Sequence, residues 1–210
     1  MVERRDITGL VLAGGQGARM GGLEKGLQGF GGVPLARHAA QRLAPQVGPL
    51  LLNANRHLGL YAAFGWPVHA DTLPDYPGPL AGLLTGLTHC TTPWLATVPC
   101  DSPAFPRDLV ARLAQAACDA HAQVAVACAP DAEGRMRRQP VFSLVQSALR
   151  ADLAAFLAQD GRKIGAWLAR HACIEVPFDD ADAFANANTL DELRALERAQ
   201  VQQQRPMRAP

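Results

Sequence analysis

The chain has 210 residues, of which 49% are hydrophobic and 19% charged, and its formal net charge is +1. A chain of this length can bury roughly 70% of the surface that its unfolded form exposes, enough for a full core. The balanced charge excludes a nucleic-acid footprint, an acidic tail and wholesale disorder, so any anion site must be local.

Ile7 to Leu12 is a short apolar run that predicts a buried strand. It empties into a loop carrying Gly14, Gly15, Gly17, Gly21, Gly22 and Gly26, with Arg19 and Lys25 set among them. Glycines let the backbone turn sharply and bring its N–H groups against a ligand, while the two cations supply charge for several phosphates. The loop is a candidate nucleotide-phosphate cradle. Two familiar cradles fail on spacing. A P-loop needs Gly before its Lys and Ser or Thr after it, whereas Lys25 lies between Glu24 and Gly26. The dinucleotide fingerprint begun at Gly15 and Gly17 would place Met20 at its third glycine.

Pro34 opens a helical pattern through Leu35, Ala39 and Leu43, which Pro45 ends. Val47 to Leu52 reads as a second strand discharging Asn53, Ala54, Asn55 and Arg56, and Pro67 to Ala70 as a third ending at Asp71. A helix follows Gly78-Pro79, with Leu80, Leu83, Leu84 and Leu87 at helical spacing. The strand Trp94 to Cys100 ends in Asp101-Ser102-Pro103, and a helix follows from Pro106 through Leu113. Gln123 to Ala129 is a fifth strand, Asp131 to Arg138 a charged turn, and Pro140 to Val145 a sixth apolar run. Gln146 to Ala169 is helical with a break at Asp160-Gly161, and Cys173 to Phe178 is the last strand. Thr189 with Glu192 matches a capping box for a helix whose apolar spacing ends near Val201. Strands alternating with helices predict an α/β fold, a Rossmann-like three-layer domain with a mostly parallel sheet, in which ligands bind at the carboxyl edge. We read residues 1–201 as one domain and 202–210 as a flexible tail.

Nucleotidyl transfer needs a triphosphate in line with a nucleophile, a metal on phosphate oxygens, and cations where charge builds on the pyrophosphate. Asp101, at a strand end, is the candidate ligand for Mg²⁺ (or Mn²⁺), which takes one or two carboxylates plus phosphate and water. Lys25 is placed on the phosphates and Arg19 on the leaving pyrophosphate. Asn53 and Asp71 suit a base or ribose, or are ordinary strand-end turn residues. Asn186 and Asn188 are two apart and share one face of an extended segment, or simply lead into the capped helix. The histidines, His38, His57, His69, His89, His121 and His171, show no metal spacing, although His57 could border the cleft. Asp179, Asp180 and Asp182 read as a solvated turn.

The motif Leu-Ala-Gly-Gly-x-x-x-Arg-Met-Gly-Gly-x-Glu-Lys resembles the signature of nucleotidyltransferases, and within them the molybdenum cofactor guanylyltransferases. The resemblance extends to Asn53-Ala54-Asn55-Arg56, Tyr76 to Gly82, Pro99 to Pro103 and Phe184 to Thr189, in the same order. It implies a fold of the nucleotide-diphospho-sugar transferase type. It further implies that Leu12, Ala13, Gly14 and Gly15 with Lys25, Asn53, Asp71 and Asp101 bind GTP, and that Asp101 holds Mg²⁺. Asn186 and Asn188, with Arg162 and Lys163, then fall toward molybdopterin, and Asn188 is a second candidate metal ligand. One departure is visible: Glu24 stands where the family commonly has Asp. The implied reaction transfers GMP from GTP to the terminal phosphate of molybdopterin. A CTP-using sister enzyme, a sugar-phosphate nucleotidyltransferase and a non-catalytic nucleotide-binding protein are the rival readings.

The implied partners beyond substrate are molybdoenzymes, their chaperones or inserting proteins, with no nucleic acid and no membrane, and the chain itself a monomer or weak oligomer. The five cysteines form no C-x-x-C pair and read as reduced thiols of a cytoplasmic protein. The N-terminal apolar run is too short for a signal peptide, and no stretch reaches the roughly 20 apolar residues of a membrane span.

Overall fold

The first strand, β1 (Ile7–Leu12), is buried along its whole length because it runs through the interior of a sheet covered on both faces. Its side chains divide with the strand period of two: Ile7 and Val11 enter one apolar cluster, Leu10 and Leu12 another. The computed structural model describes residues 2–14, 24–73, 78–187 and 189–203. The remaining strands are β2 (Gly29–Phe30), β3 (Val33–Pro34), β4 (Leu50–Asn53), β5 (Val68–His69), β6 (Trp94–Pro99), β7 (Val124–Pro130), β8 (Met136–Gln146) and β9 (Cys173–Pro177). Seven of them form one sheet in the order β5-β4-β1-β6-β8-β7-β9, and β2 pairs with β3 in a small hairpin. Within the large sheet β5, β4, β1 and β6 are mutually parallel and β9 is parallel to β7, while β8 runs antiparallel to both of its neighbours.

The helices are α1 (Leu35–Leu43), α2 (Leu58–Ala62), α3 (Pro79–His89), α4 (Leu109–Asp119), α5 (Arg150–Ala158), α6 (Ile164–Leu168) and α7 (Leu190–Gln203). Those on the Ile7 and Val11 face are α1, through Ala36, Ala39, Ala40 and Leu43, and α4, through Leu109, Val110 and Leu113. The opposite face receives α3 through Leu80, Leu83, Leu84 and Leu87, with α5 and α6 adding Leu153, Leu157, Trp167 and Leu168. The predicted three layers are therefore present, with α1, α3 and α4 burying the stripes that their apolar spacing defines. Thr189 and Glu192 make the capping box reciprocally, each backbone N–H reaching the other's side chain at 3.1 Å. Leu193 of α7 then packs on Phe30, Leu35 and Ala187, bringing the C-terminal helix over the β2–β3 hairpin.

Three departures from the sequence reading have local causes. The charged turn is shorter than expected, because Met136, Arg137 and Arg138 pair with Pro130, Ala129 and Cys128 as a solvated extension of the β7–β8 hairpin. The β2–β3 hairpin and α2 are too short to carry a periodic signal. The second strand begins at Leu50 and not at Val47, since Gly48 and Pro49 intervene. Asp160, at φ 60°, stands at the expected break between α5 and α6. No described helix is long and apolar enough to cross a membrane.

Candidate active site

Strand register explains where the polar residues collect. Leu12 aligns with Asn53 on one side and with Pro99 on the other, and Asn53 aligns with His69, so β1, β4, β5 and β6 end side by side. A cavity of about 440 Å³ opens at this edge, lined by Leu12, Ala13, Gly14, Lys25, Asn53, Asp71, Gly78, Pro79, Pro99, Cys100 and Asp101. Gln139, Pro140, Val141, Phe142 and Asn186 complete the lining. The sequence candidates Leu12, Ala13, Gly14, Lys25, Asn53, Asp71, Asp101 and Asn186 therefore meet around one space. Gly15, Arg19 and Asn188 lie outside the described residues. Arg162 and Lys163 are not in the lining, and Arg162 pairs with Asp160 at 3.0 Å.

On the β4–β5 side, Asp71 is the hub of an amide lattice. Its carboxylate accepts from Asn53 Nδ2 and Asn55 Nδ2, each at 2.8 Å, and from the Thr85 hydroxyl at 3.3 Å. Its backbone N–H donates to Asn55 Oδ1 at 2.8 Å, and Asn55 Nδ2 also reaches the Gly14 carbonyl at 3.2 Å. A Cβ on Gly14 would lie 2.9 Å from both Asn53 Oδ1 and Asn55 Nδ2, so only glycine lets the loop lie against these amides. Asn55 and Thr85 were not among the sequence candidates. Asn55 shared a motif with Asn53, but Thr85 sits inside the apolar pattern of α3 and carries no signal of its own.

Charge is concentrated at Lys25 and Asp101, whose Nζ and Oδ2 are 2.9 Å apart, with both side chains about one-fifth exposed at 21% and 18%. The segment bearing Asn186 is tied to this pair, because Ala187 N–H donates to the Asp101 carbonyl at 2.8 Å and Ser102 Oγ donates to Asn186 Oδ1. Cys100 lies directly before Asp101, and burial followed by the Asp101 charge pushes its thiol pKa far up, the setting of an inert buried cysteine. His57 is exposed and at φ 52° precedes α2, outside the cavity lining.

The β8 side is built by an irregularity. Val126 of β7 pairs with Ser143, but the next residue, Ala127, pairs with Gln139, so Pro140, Val141 and Phe142 leave the ladder. Pro140 has no N–H to give to a ladder. The Val141 carbonyl freed by the bulge accepts from the Thr97 hydroxyl at 2.6 Å, and Ser143 Oγ lies 3.0 Å from that hydroxyl. The bulge thus turns strand residues into cavity wall.

A family profile described as MobA-like NTP transferase domain matches residues 9–174. A molybdenum cofactor guanylyltransferase from Ralstonia nicotianae is 58% identical over 200 residues, covering 93% of this chain and 98% of the relative. One from an Acidovorax species is 57% identical over 206 residues, covering 94% and 98%. The chain belongs to the molybdenum cofactor guanylyltransferases. It is a nucleotidyltransferase. Among solved structures, molybdopterin-guanine dinucleotide biosynthesis protein A from Archaeoglobus fulgidus superposes with a TM-score of 0.76 at 21% identity, covering 93% of this chain and 99% of that one. A CMP:2-keto-3-deoxy-manno-octonic acid synthetase superposes with a TM-score of 0.74 at 14% identity, covering 96% and 100%. These likenesses establish a nucleotide-diphospho-sugar transferase fold. In this guanylyltransferase the resemblance read from the glycine-rich loop, the Asn53 run and the Asp101 run is therefore that of a true relative.

Proposed function

We propose that this guanylyltransferase binds GTP against the Gly14, Asn53 and Asp71 side of the cavity and molybdopterin against Asn186 and the β8 bulge. GMP is transferred to the terminal phosphate of molybdopterin, and pyrophosphate leaves. The observation that carries the reading is the Lys25–Asp101 pair, 2.9 Å apart, in the same cavity as the Asp71 amide lattice.

An acceptor phosphate oxygen forms the new bond to the α-phosphorus of GTP, and the α–β bridging P–O bond breaks with its electron pair leaving on pyrophosphate. The nucleophile is already anionic, so the cavity needs alignment and charge neutralisation more than a general base. In keeping with this, no histidine is among the described residues that line the cavity. Lys25 carries three N–H donors, so it can keep one on Asp101 and direct another at a phosphate. Arg19 is assigned to the leaving pyrophosphate.

The donor set suits Mg²⁺ or Mn²⁺ held in the manner of a nucleotide site. Among the described residues no three His, Cys, Asp or Glu side chains converge, which argues against an all-protein cage. One carboxylate is enough when phosphates and water supply the rest. Asp101 offers Oδ1, since Lys25 occupies Oδ2, and Asn188 is the second candidate. When bound, the ion neutralises phosphate charge as a Lewis acid. Residues 1–201 act as one catalytic unit, and the free cysteines are in keeping with a cytoplasmic enzyme that hands its product to molybdoenzymes, their chaperones or inserting proteins.

The test is incubation with Mg²⁺, a molybdopterin source and each ribonucleoside triphosphate in turn, measuring pyrophosphate and dinucleotide product. Product with GTP alone, dependent on the acceptor and lost in Asp101→Ala, is expected. Product with CTP in its place overturns the base assignment, and GTP binding without turnover overturns the catalytic reading.

A further inference from the structure

Beside Lys25, and outside the cavity lining, the side chain of Glu24 is 7% exposed. A carboxylate so deeply buried needs partners. Tyr61, itself fully buried on α2, donates its hydroxyl to Glu24 Oε1 at 3.1 Å. Arg56 Nη2 lies 2.9 Å from Oε2 but off the hydrogen-bonding axis, so what it supplies is charge attraction. Backbone contacts brace the same turn: Leu27 N–H and Gln28 Nε2 both donate to the Glu24 carbonyl at 3.1 Å. A Cβ on Gly26 would collide with the Tyr61 hydroxyl, so the glycine after Lys25 is what lets the ring pass beneath the turn. Tyr61, Glu24 and Arg56 thus clamp the backbone on either side of a lysine whose ammonium is aimed at Asp101.

We infer that Glu24 is a positioning residue, held by Tyr61 and Arg56 so that the turn it anchors presents Lys25 to the reacting phosphates. The inference rests on the proposed role of Lys25 and adds to it a support that reaches from α2. Glu24 lies outside the cavity lining and its side chain is held by Tyr61 and Arg56, so its effect passes through Lys25. A displaced lysine still attracts the triphosphate by charge, but it no longer meets the transition state squarely. The loss therefore falls on kcat and leaves the KM for GTP little changed.

The test measures pyrophosphate release and thermal midpoint for Glu24→Gln, Tyr61→Phe, Arg56→Lys and Arg56→Ala, and repeats Glu24→Gln in a Lys25→Ala background. Misplacement of a catalytic group by a fraction of an ångström to 1 Å costs about 10- to 100-fold in rate, and kcat of Glu24→Gln should fall within that range. Tyr61→Phe is expected to lower kcat in the same direction. Arg56→Lys, which keeps the charge, should retain activity that Arg56→Ala loses. In the Lys25→Ala background Glu24→Gln should cost nothing further. If the two losses multiply, or if each kcat loss follows a fallen thermal midpoint, Glu24 is only a structural residue and the inference fails. Failure of the wild type to turn over GTP would instead overturn the proposed function, so the two failures are distinguishable.

Discussion

Asp71, on one side of the cavity, receives side-chain hydrogen bonds from Asn53, Asn55 and Thr85, whereas the opposite wall is a stretch of β8 that has left its ladder and is met at Val141 by the Thr97 hydroxyl. The first side is a lattice in which Asn53, Asn55 and Thr85 fix the Asp71 carboxylate, and it lies against Gly14. The second side offers Pro140, Val141 and Phe142 with Gln139 and Asn186, a mostly apolar wall carrying two amides. Preorganised polar groups suit a ligand whose donors and acceptors are fixed, as in a nucleotide base and ribose. The Lys25–Asp101 pair belongs to neither wall, and it is the pair to which the proposed function assigns the chemistry.

Removing either member of that pair gives the largest expected effect. Loss of one preorganised charge facing the transition state typically costs about 10²- to 10³-fold in kcat, and Lys25→Ala and Asp101→Ala should each show it. Steady-state pyrophosphate release checks this, with GTP binding measured beside it. A variant that loses binding of both substrates together would break the separation of chemistry from the two walls.

Next in size is the lattice. In Asp71→Asn one acceptor oxygen becomes a donor facing the amides of Asn53 or Asn55, leaving a polar group unsatisfied at a cost of about 1–3 kcal/mol. Urea unfolding should register that loss of stability, and the KM for GTP should rise while that for molybdopterin holds. On the opposite wall, Thr97→Val removes the hydroxyl that meets the Val141 carbonyl. Thr97 is buried, so stability should fall by about 1 kcal/mol, and here the KM for molybdopterin should rise while that for GTP holds. If both variants shift both constants equally, the two walls do not divide the substrates.

The same contrast explains what could be read from the sequence. On the parallel side each strand runs toward the cavity and stops there, so Asn53, Asp71 and Asp101 announce themselves as polar residues ending apolar runs. β8 runs the other way, and its contribution comes from the middle of the strand, where the ladder skips from Ser143 to Gln139. A bulge is a fact of pairing between two strands and leaves no period in either one. Pro140 is the available sign, but in sequence it looks like the start of the apolar run that ends at Val145. The Asn186 segment was legible through its motif, but its attachment to Asp101 through Ala187 N–H is a backbone bond that side-chain identity does not encode. Tyr61 was illegible for another reason: α2 is a five-residue helix and shows no period at all.

The smallest expected effect is a pH dependence of the lattice. His69, where β5 ends, has its pKa lowered from 6.5, first by burial and then by His89, whose ring stacks on it at 3.6 Å between centroids. Above pH 6.5 the imidazole is neutral in folded and unfolded chains alike, and its contribution to stability is fully present. As the pH falls through 6.5 the unfolded chain takes up the proton first, so stability declines until the lower folded pKa is reached. His69→Gln should therefore flatten part of the fall in thermal midpoint between about pH 7.5 and pH 5.5. The backbone of His69 also accepts from Asn53 Nδ2 at 3.1 Å and from Ala54 N–H at 3.2 Å. Charging the ring beside His89 pushes on that strand end, so acidification should raise the KM for GTP in the wild type more than in His69→Gln. The KM for molybdopterin should follow the same course in both proteins, because β4, β1 and β6 separate the strand of His69 from β8.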